Sequence, residues 1–194
     1  MKKIIYGIQG GKGSFNEEAL IYYARKEGIK EYDTNYLYTS ENVMIALERK
    51  QIDRGQFAIH NSAGGMVEES LQAMASHKFM ISGQFSIKIS HALMIRPDAD
   101  LSEIDTIMTH PQVLSQCRRS LAGKYPHLKQ TSGEGELIDH ALAAKNLAAG
   151  KLPKNIAIMG SKAISRIYRL KIIEDNLQDL KENYTTFLQV ARNL

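Results

Sequence analysis

Short apolar runs along this chain alternate with segments in which apolar residues recur at helical spacing. That alternation is typical of an α/β protein built from βα units, in which a helix packs on the sheet after each strand. The long run 85–95 is expected to be a strand that crosses between two lobes. The other strands predicted from the apolar runs are residues 4–8, 36–38, 56–60, 107–109, 156–159 and the end of 183–190.

The helices are predicted to begin at small polar residues and to end at glycines. Ser14 with Glu17 three residues later predicts a capping box, and Gly28 is placed to end that helix as its C′ residue. Ser161 is placed to cap a later helix. The other predicted helices follow Ser40, start at about Met66, run from Thr109 to about Gly123, and run from Glu136 to Ala149.

The segment 109–117 has the features of a helix start that receives an anion. Thr109 and Gln112 form a T-x-x-Q pattern, which predicts a capping box, and Pro111 falls in the first turn. The first N–H groups of such a helix face outward and attract negative charge. A well-capped helix without a ligand fits the same residues. Because several strand-to-helix turns of an open sheet meet at one edge, an anion-binding cleft is the favoured interpretation.

Composition narrows the function classes. The chain of 194 residues is 43% hydrophobic and 24% charged, which suits a folded globular protein. Its net charge of +4 comes from residues scattered along the sequence, so a small anionic ligand is favoured over nucleic acid. The glycines in residues 10–13 match neither the Walker A spacing nor the dinucleotide-binding spacing, so nucleotide binding is not predicted.

Cysteine and hydropathy patterns bear on the compartment. Cys117 is the single cysteine, which excludes an intrachain disulfide framework and a cysteine-rich zinc module and predicts a packing role. The N-terminal apolar run is too short for a signal peptide, and no segment approaches the roughly 18 apolar residues of a membrane span. We therefore expect a cytoplasmic protein that contacts neither membrane nor nucleic acid.

Four segments, in order, resemble the catalytic domain of prephenate dehydratase. Residues 10–15 (G-G-K-G-S-F) resemble that family's G-P-x-G-T/S-F/Y opening, and residues 59–62 (I-H-N-S) resemble its P-I-E-N-S/T turn. Residues 109–112 with 116–117 (T-H-P-Q and Q-C) resemble its S-H-P-Q and Q-C pair. Residues 184–187 (Y-T-T-F) resemble its T-R-F segment. No single motif is specific, but the ordered set covers nearly the whole chain.

The resemblance implies a two-lobed α/β fold similar to type II periplasmic binding proteins, with the active-site cleft between the lobes. Residues 1–194 would form a single prephenate dehydratase-like domain. Lobe one would comprise about 1–86 and 175–194, and lobe two about 87–174. We expect no ACT regulatory domain in this chain, and we expect a homodimer.

The resemblance also implies an activity, that of a lyase converting prephenate, a small dicarboxylate, to phenylpyruvate, CO2 and water in phenylalanine biosynthesis. Since aromatisation drives the reaction, the protein has to supply a proton donor at the departing hydroxyl and donors for two carboxylates, and no metal or organic cofactor. The residues implied as catalytic are Thr185, His60, Asn61 and Gln116. Those implied as substrate-binding are Gly13, Ser14, Ser62, Thr109, Thr186 and Phe187.

Two positions depart from the family pattern, which has glutamate where this chain has His60 and arginine where it has Thr186. The missing arginine predicts a roughly 10- to 100-fold weaker hold on a carboxylate unless another group compensates. Because imidazole can carry a positive charge near neutral pH, we hypothesise that His60 compensates in part; a neutral His60 that ends its strand is the alternative. Whether Glu134 reaches the cleft stays open, as does the direction of Arg169, which stands where the family usually has glycine.

The residues alone leave two other functions open. A relative that decarboxylates prephenate without expelling the hydroxyl is favoured by the loss of the glutamate and disfavoured by the retention of Thr185. A non-catalytic module that binds a small carboxylate is also compatible with the sequence, because a fold does not determine a function.

Overall fold

The computed structural model describes residues 3–133, 137 and 139–193. Within these ranges the chain forms two compact units. Unit 1 comprises the residues up to Gly11, Phe15–Lys88 and the segment from Tyr184 onward; unit 2 comprises Lys12–Ser14 and Ile89–Asn183.

In chain order the elements are β1 (Ile4–Ile8), α1 (Phe15–Lys26), β2 (Tyr32–Tyr36), α2 (Ser40–Glu48), β3 (Arg54–Asn61), β4 (Gly65–Met66), α3 (Glu68–Ser76), β5 (Phe79–Lys88), β6 (Ala92–Ile95), β7 (Thr106–Met108), α4 (Pro111–Gln116), α5 (Arg118–Lys124), β8 (Lys129–Thr131), α6 (His140–Ala148), β9 (Ile156–Gly160), α7 (Lys162–Tyr168), β10 (Lys171–Glu174) and β11 (Tyr184–Arg192).

Unit 1 is built on a mixed sheet. Among the described residues this sheet has six strands in the order β2-β1-β3-β11-β5, with β4 paired to β3. Strand β1 is parallel to both β2 and β3, whereas β11 is antiparallel to β3 and β5. Because β11 runs antiparallel to β3, the start of β11 lies beside the end of β3, and Thr185 pairs with Asn61.

Unit 2 has a sheet of its own. Over the described residues its five strands lie in the order β10-β6-β9-β7-β8. Strand β7 is parallel to β8 and β9, while β6 is antiparallel to β9 and β10. The carboxyl ends of β7 and β9 therefore share one edge, from which Thr109 and Ser161 follow directly.

The segment 175–183 lies in unit 2, whereas the sequence prediction divided the lobes at about 174/175. Backbone hydrogen bonds tie it there. The Leu177 N–H donates to the His91 carbonyl at 3.1 Å, and the Asp179 N–H donates to the Gln116 carbonyl at 2.8 Å. These partners are far apart in sequence, so no local pattern could have indicated them.

Most strand predictions are confirmed, and two are wrong. The predicted strand 36–38 lies earlier, as β2, because the chain turns at Tyr38, whose φ is +64°. The predicted single strand 85–95 is two strands in different sheets, β5 and β6, separated at residues 89–91. Continuous apolar alternation could not reveal that break.

The predicted helix from Thr109 is corrected in two ways. It consists of α4 and α5, which meet at Cys117, a residue outside regular helical geometry with φ −114° and ψ 10°. Its N-cap is His110, whose Nδ1 accepts a hydrogen bond from the Gln112 N–H at 3.1 Å, and not Thr109. Pro111 occupies the first helical position, which makes the residue just before it the cap.

The ends of three other helices can be compared with their predictions. Asp139 caps α6 by accepting a hydrogen bond from the Leu142 N–H at 2.7 Å, and the predicted helix start at Glu136 lies outside the described residues. Ser161 occupies the N-cap of α7 as predicted, but its hydroxyl donates to the Gly13 carbonyl and makes no capping hydrogen bond. Gly28 follows α1 at φ +68°, as the predicted C′ position requires.

Cys117 is fully buried in the core of unit 2, beside residues such as Ile107, Leu121 and Met159. Burial raises the pKa of its thiol to about 12, so the group stays protonated at neutral pH. The predicted packing role is confirmed. In the part of the chain that the structure describes, no helix is long and apolar enough to span a bilayer.

Arg169 closes α7 in the left-handed conformation, with φ 55° and ψ 37°, and its side chain is exposed. A side chain in this conformation costs about 1–2 kcal/mol, partly offset by the lower entropy of a non-glycine residue in the unfolded chain. We expect Arg169→Gly to raise the free energy of unfolding by up to about 1 kcal/mol, measured by urea denaturation. The matched change Arg166→Gly, within α7, should lower it by about 1 kcal/mol. Destabilisation by Arg169→Gly would contradict this account.

Candidate active site

The end of β3 and the start of β11 bring two predicted site residues together. Asn61 and Thr185 are cross-strand partners, and the Asn61 Nδ2 atom donates a hydrogen bond to the Thr185 Oγ1 atom at 2.9 Å. Both side chains are buried, with 2% and 9% of their surface exposed. A buried contact of this kind fixes the position of the hydroxyl group.

The amide of Asn61 has one orientation that satisfies its neighbours. Its Oδ1 atom accepts from the N–H groups of Ala63 and Gly64 at 2.9 and 2.8 Å. Its Nδ2 atom also donates to the Tyr184 carbonyl at 3.3 Å. Because the Thr185 oxygen already accepts a hydrogen bond from Asn61, the Thr185 O–H is directed to a different acceptor. The pair therefore presents a positioned hydroxyl donor.

Ser62 links the ends of β3 and β11 next to the Asn61–Thr185 pair. The Ser62 N–H donates to the Tyr184 carbonyl at 2.8 Å, and the Tyr184 N–H donates to the Ser62 Oγ at 2.8 Å. This reciprocal pair extends the β3–β11 ladder by one residue. Ser62 thus holds the start of β11, and its hydroxyl accepts from the backbone.

The two positions that depart from the family pattern, His60 and Thr186, pair with each other across the strands. Successive strand residues point to opposite faces, so this pair lies on the face opposite Asn61 and Thr185. His60 is exposed, and Thr186 Oγ1 is 2.9 Å from the Ser86 Oγ on β5. The structure therefore brings these two residues to each other and not to the Asn61–Thr185 pair. Glutamate and arginine, which the family pattern has at these two positions, would be placed by this pairing to attract each other across the strands.

We expect the double variant His60→Glu/Thr186→Arg to be more stable than the two single variants predict together, by about 0.2–1 kcal/mol, since opposite charges at paired positions attract. A double-mutant cycle in urea denaturation measures this coupling. Thr186→Arg alone should leave prephenate affinity within about threefold. An increase of 10- to 100-fold in prephenate affinity, as expected of an arginine that binds a carboxylate, would show that position 186 contacts the substrate.

Phe187 was predicted to bind substrate, and the structure places its ring inside the core of unit 1. Its side chain has no exposed surface and lies in a core cluster with Ala19 and Phe85. The Phe85 and Phe187 rings stack with centroids 5.9 Å apart. Phe187 therefore packs the face of the sheet that carries Thr185, two residues earlier on the strand.

In unit 2, Thr109 stands at the end of β7 but does not cap α4. Its side chain is buried, and its hydroxyl donates to the Met159 carbonyl on β9 at 3.1 Å. The hydroxyl thus joins two adjacent strand ends. Helix α4 has only six residues, so its dipole attracts an anion weakly. The segment is therefore better described as a structural turn after β7 than as an isolated anion site.

Gln116, the last residue of α4, is held at its amide oxygen. The Asn183 Nδ2 atom donates to Gln116 Oε1 at 2.8 Å, and the His91 Nε2 atom lies 2.8 Å from the same oxygen. Gln116 is 6% exposed, and both partners are more deeply buried. The motifs of the sequence predicted Gln116 as a site residue but did not indicate its partners His91 and Asn183, since neither belongs to a recognised motif.

The glycine-rich loop after β1 is anchored within unit 2 at residues 12–14. The Ser161 hydroxyl donates to the Gly13 carbonyl at 2.5 Å, and the Tyr168 hydroxyl donates to the Lys12 carbonyl at 3.3 Å. Gly13 has φ +89°, and an added Cβ would come within 3.1 Å of Ile164, so glycine is required there. Ser14 is buried next to it.

The profile of the prephenate dehydratase family matches residues 6–194. The chain belongs to the prephenate dehydratase family. It is 27% identical over 183 residues to a bifunctional chorismate mutase/prephenate dehydratase of Enterobacter agglomerans, covering 94% of this chain and 46% of that protein. It is 29% identical over 193 residues to arogenate dehydratase/prephenate dehydratase 2 of Arabidopsis thaliana, covering 98% and 47%. The chain thus spans about half the length of these curated relatives.

Solved structures agree on the fold. A prephenate dehydratase from Arthrobacter aurescens in complex with L-Phe has a TM-score of 0.84 at 23% identity, covering 98% of this chain and 61% of that one. A lipoprotein of Bacillus subtilis has a TM-score of 0.53 at 14% identity, covering 99% and 84%, so the α/β fold is also similar to that of this lipoprotein. A structure described as a quorum-quenching acylase has a TM-score of 0.76 at 22% identity, covering 98% and 64%. Structural similarity at these low sequence identities shows the fold alone, because one fold can carry many different reactions.

The remaining family position left open by the sequence is Glu134, which lies outside the described residues. In the described part of this prephenate dehydratase family member, no group of three or more His, Cys, Asp or Glu side chains is arranged to hold a metal ion. Arg169, the other open position, is an exposed helix end.

Proposed function

We propose that this chain converts prephenate to phenylpyruvate, CO2 and water. The observation that carries the proposal is the hydrogen bond from Asn61 Nδ2 to Thr185 Oγ1, which leaves the Thr185 proton available to a substrate. A hydroxyl donor held in one position is what the departing ring hydroxyl requires. Family membership supports the assignment of the substrate class.

In the proposed reaction, the bond between the ring and its carboxylate breaks, and its electrons enter the ring as CO2 leaves. The C–O bond opposite breaks in the same aromatisation, and the hydroxide takes up a proton through the hydrogen bond from Thr185. Solvent restores the proton, so one proton is consumed and one water is formed. No electron acceptor is needed, because the ring and its substituents are redox-balanced. The proposed chemistry requires no metal or organic cofactor.

The carboxylates of prephenate have to be held by donors. We propose Gln116 as one of them, through its Nε2 atom, because its oxygen is already occupied by Asn183 and His91. Ser14, beside the anchored Gly13 carbonyl, is proposed as a second, consistent with the family's G-P-x-G-T/S pattern. Thr109 and Ser62 are proposed to act by positioning, since both hydroxyls are engaged with the backbone.

The test is to incubate the purified chain with prephenate and to follow the ultraviolet spectrum and the products. Phenylpyruvate supports the proposal. A non-aromatic dihydro acid would instead identify a decarboxylase that retains the hydroxyl, and unchanged prephenate with a raised melting temperature would identify a binding module. Either of those outcomes would overturn the proposed dehydration.

Arogenate is the second candidate substrate, favoured by a specific observation: relatives in Petunia hybrida and Arabidopsis thaliana are named as arogenate dehydratases. Arogenate carries an amino acid side chain in place of the keto acid, and its aromatised product is phenylalanine. The same assay run with each substrate compares kcat/KM values. A higher value for arogenate would reassign the substrate and keep the reaction.

We further propose a homodimer acting in the cytoplasm. The support for a dimer is β5, a ten-residue strand at an edge of the described sheet, with Met80 and Ile81 exposed on it. Antiparallel pairing of two copies of one edge strand satisfies a two-fold axis. Light scattering of the purified chain measures the mass, and a monomer at micromolar concentration would contradict the dimer.

A further inference from the structure

Two segments of unit 2 that are distant in sequence from Gln116 meet at its side-chain amide. Its Oε1 atom receives Asn183 Nδ2 at 2.8 Å and faces His91 Nε2 at 2.8 Å. An amide oxygen cannot donate, so the His91 proton lies on Nε2 in this arrangement. Both lone pairs of the oxygen are then in use, and the amide cannot rotate without turning its NH2 group towards two donors.

The backbone around this contact is also fixed. The His91 N–H donates to the buried Gln178 Oε1 at 3.1 Å, and the Ile89 N–H donates to the Asn183 carbonyl at 2.8 Å. The Gln116 carbonyl accepts from the Asp179 N–H at 2.8 Å. Each partner of the Gln116 side chain is therefore held by its own main chain, which makes the contact rigid.

The charge state of His91 agrees with this geometry. Burial, with a smaller contribution from nearby His140, lowers the pKa of His91 to about 4. At neutral pH its ring is an uncharged imidazole with a single N–H, so it orients Gln116 without adding charge.

We propose that His91 and Asn183 are positioning residues for substrate binding: they hold the Gln116 amide so that its NH2 group, and not its oxygen, faces the substrate carboxylate. This inference rests on the proposed function. A reversed amide would present an oxygen to an anion, which replaces an attractive contact by a repulsive one. The assignment concerns ground-state binding, so the effect should fall on KM more than on kcat.

The first test is Asn183→Asp, which keeps the side-chain shape but cannot donate to Gln116 when ionised. The amide should then turn its NH2 group towards position 183. KM for prephenate should rise roughly 10- to 100-fold while kcat stays within about threefold. His91→Phe, which removes the other donor without adding charge, should raise KM in the same direction. Asn176→Asp is the matched control: it adds the same charge at an exposed position of the same segment and should leave both constants unchanged.

A double-mutant cycle separates positioning from a merely structural role. In the Gln116→Ala background, His91→Phe should raise KM by less than about threefold, because the group it orients is gone. An unchanged penalty in that background would overturn the proposal, since His91 would then act independently of Gln116.

The second test needs neither activity nor a variant. The ¹⁵N shifts of the histidine rings at pH 7, assigned for His91, should show a protonated Nε2 and an unprotonated Nδ1. The opposite tautomer would overturn the inference, because Nε2 would then accept from a reversed Gln116 amide. If the wild-type chain does not turn over prephenate, the proposed function fails, and the tautomer still decides whether the amide is locked as described.

Discussion

Replacing Thr185 by valine should lower kcat for prephenate dehydration by about 10²–10⁴-fold, the usual contribution of a positioned proton donor. Valine has nearly the same shape and lacks the hydroxyl that Asn61 holds at 2.9 Å. The Asn61 Nδ2 atom keeps its second acceptor, the Tyr184 carbonyl, so the fold should survive the change. Steady-state kinetics with prephenate, alongside thermal unfolding, measures both effects.

Two further variants make this result specific. Thr185→Ser keeps the hydroxyl and should retain activity within about tenfold. Thr34→Val, on β2 of the same sheet, removes a comparable hydroxyl far from the pair and should leave kcat unchanged. Full activity in Thr185→Val would remove this residue from the mechanism and leave the proposed dehydration without its donor.

Stability should decline in mild acid because of His91. Its pKa is about 4 in the folded chain and about 6.5 in the unfolded chain, so the unfolded state binds a proton that the folded state excludes. The contribution of neutral His91 to the free energy of unfolding is fully present above about pH 6.5. It is lost as pH falls towards 4, and the loss amounts to roughly 3 kcal/mol at pH 4. Burial also lowers the pKa values of His110 and His140, which adds to the slope in the same direction.

Urea denaturation at several pH values between 4 and 7 measures this dependence. His91→Gln should reduce the slope of unfolding free energy against pH by about one proton, whatever its effect on absolute stability. His127→Gln, which changes an exposed histidine, is the matched control variant. A slope that is the same in wild type and His91→Gln would mean that His91 is protonated in the folded chain, which contradicts its burial.

The sequence was sufficient for features that depend on local pattern. Strands β1, β3 and β9 followed from apolar runs, because a buried strand needs little besides its own residues to be recognised. The C′ glycine Gly28 followed from its preference for positive φ. The family motifs also pointed to Asn61, Thr185 and Gln116, which the structure holds in defined hydrogen bonds.

Only the tertiary structure decided which faces and partners these residues have. Register placed His60 opposite Thr186 and away from Thr185, a fact that a one-residue shift would reverse. The hydroxyl of Thr109 turned to the Met159 carbonyl, which left His110 to cap α4. His91 and Asn183 reached Gln116 from positions 25 and 67 residues away.

The physical reason for this division is the range of the interactions. Apolar periodicity and backbone preferences act within a few residues, so the sequence by itself determined most of the elements. Its ordered motifs also determined the family and the candidate residues of this chain. Hydrogen bonds between strands and segments that are distant in sequence depend on register and packing, which no local pattern encodes. The tertiary structure alone therefore decided which partners the hydroxyls of Thr185 and Thr109 contact, which groups hold the Gln116 amide and which face of the sheet His60 and Thr186 share.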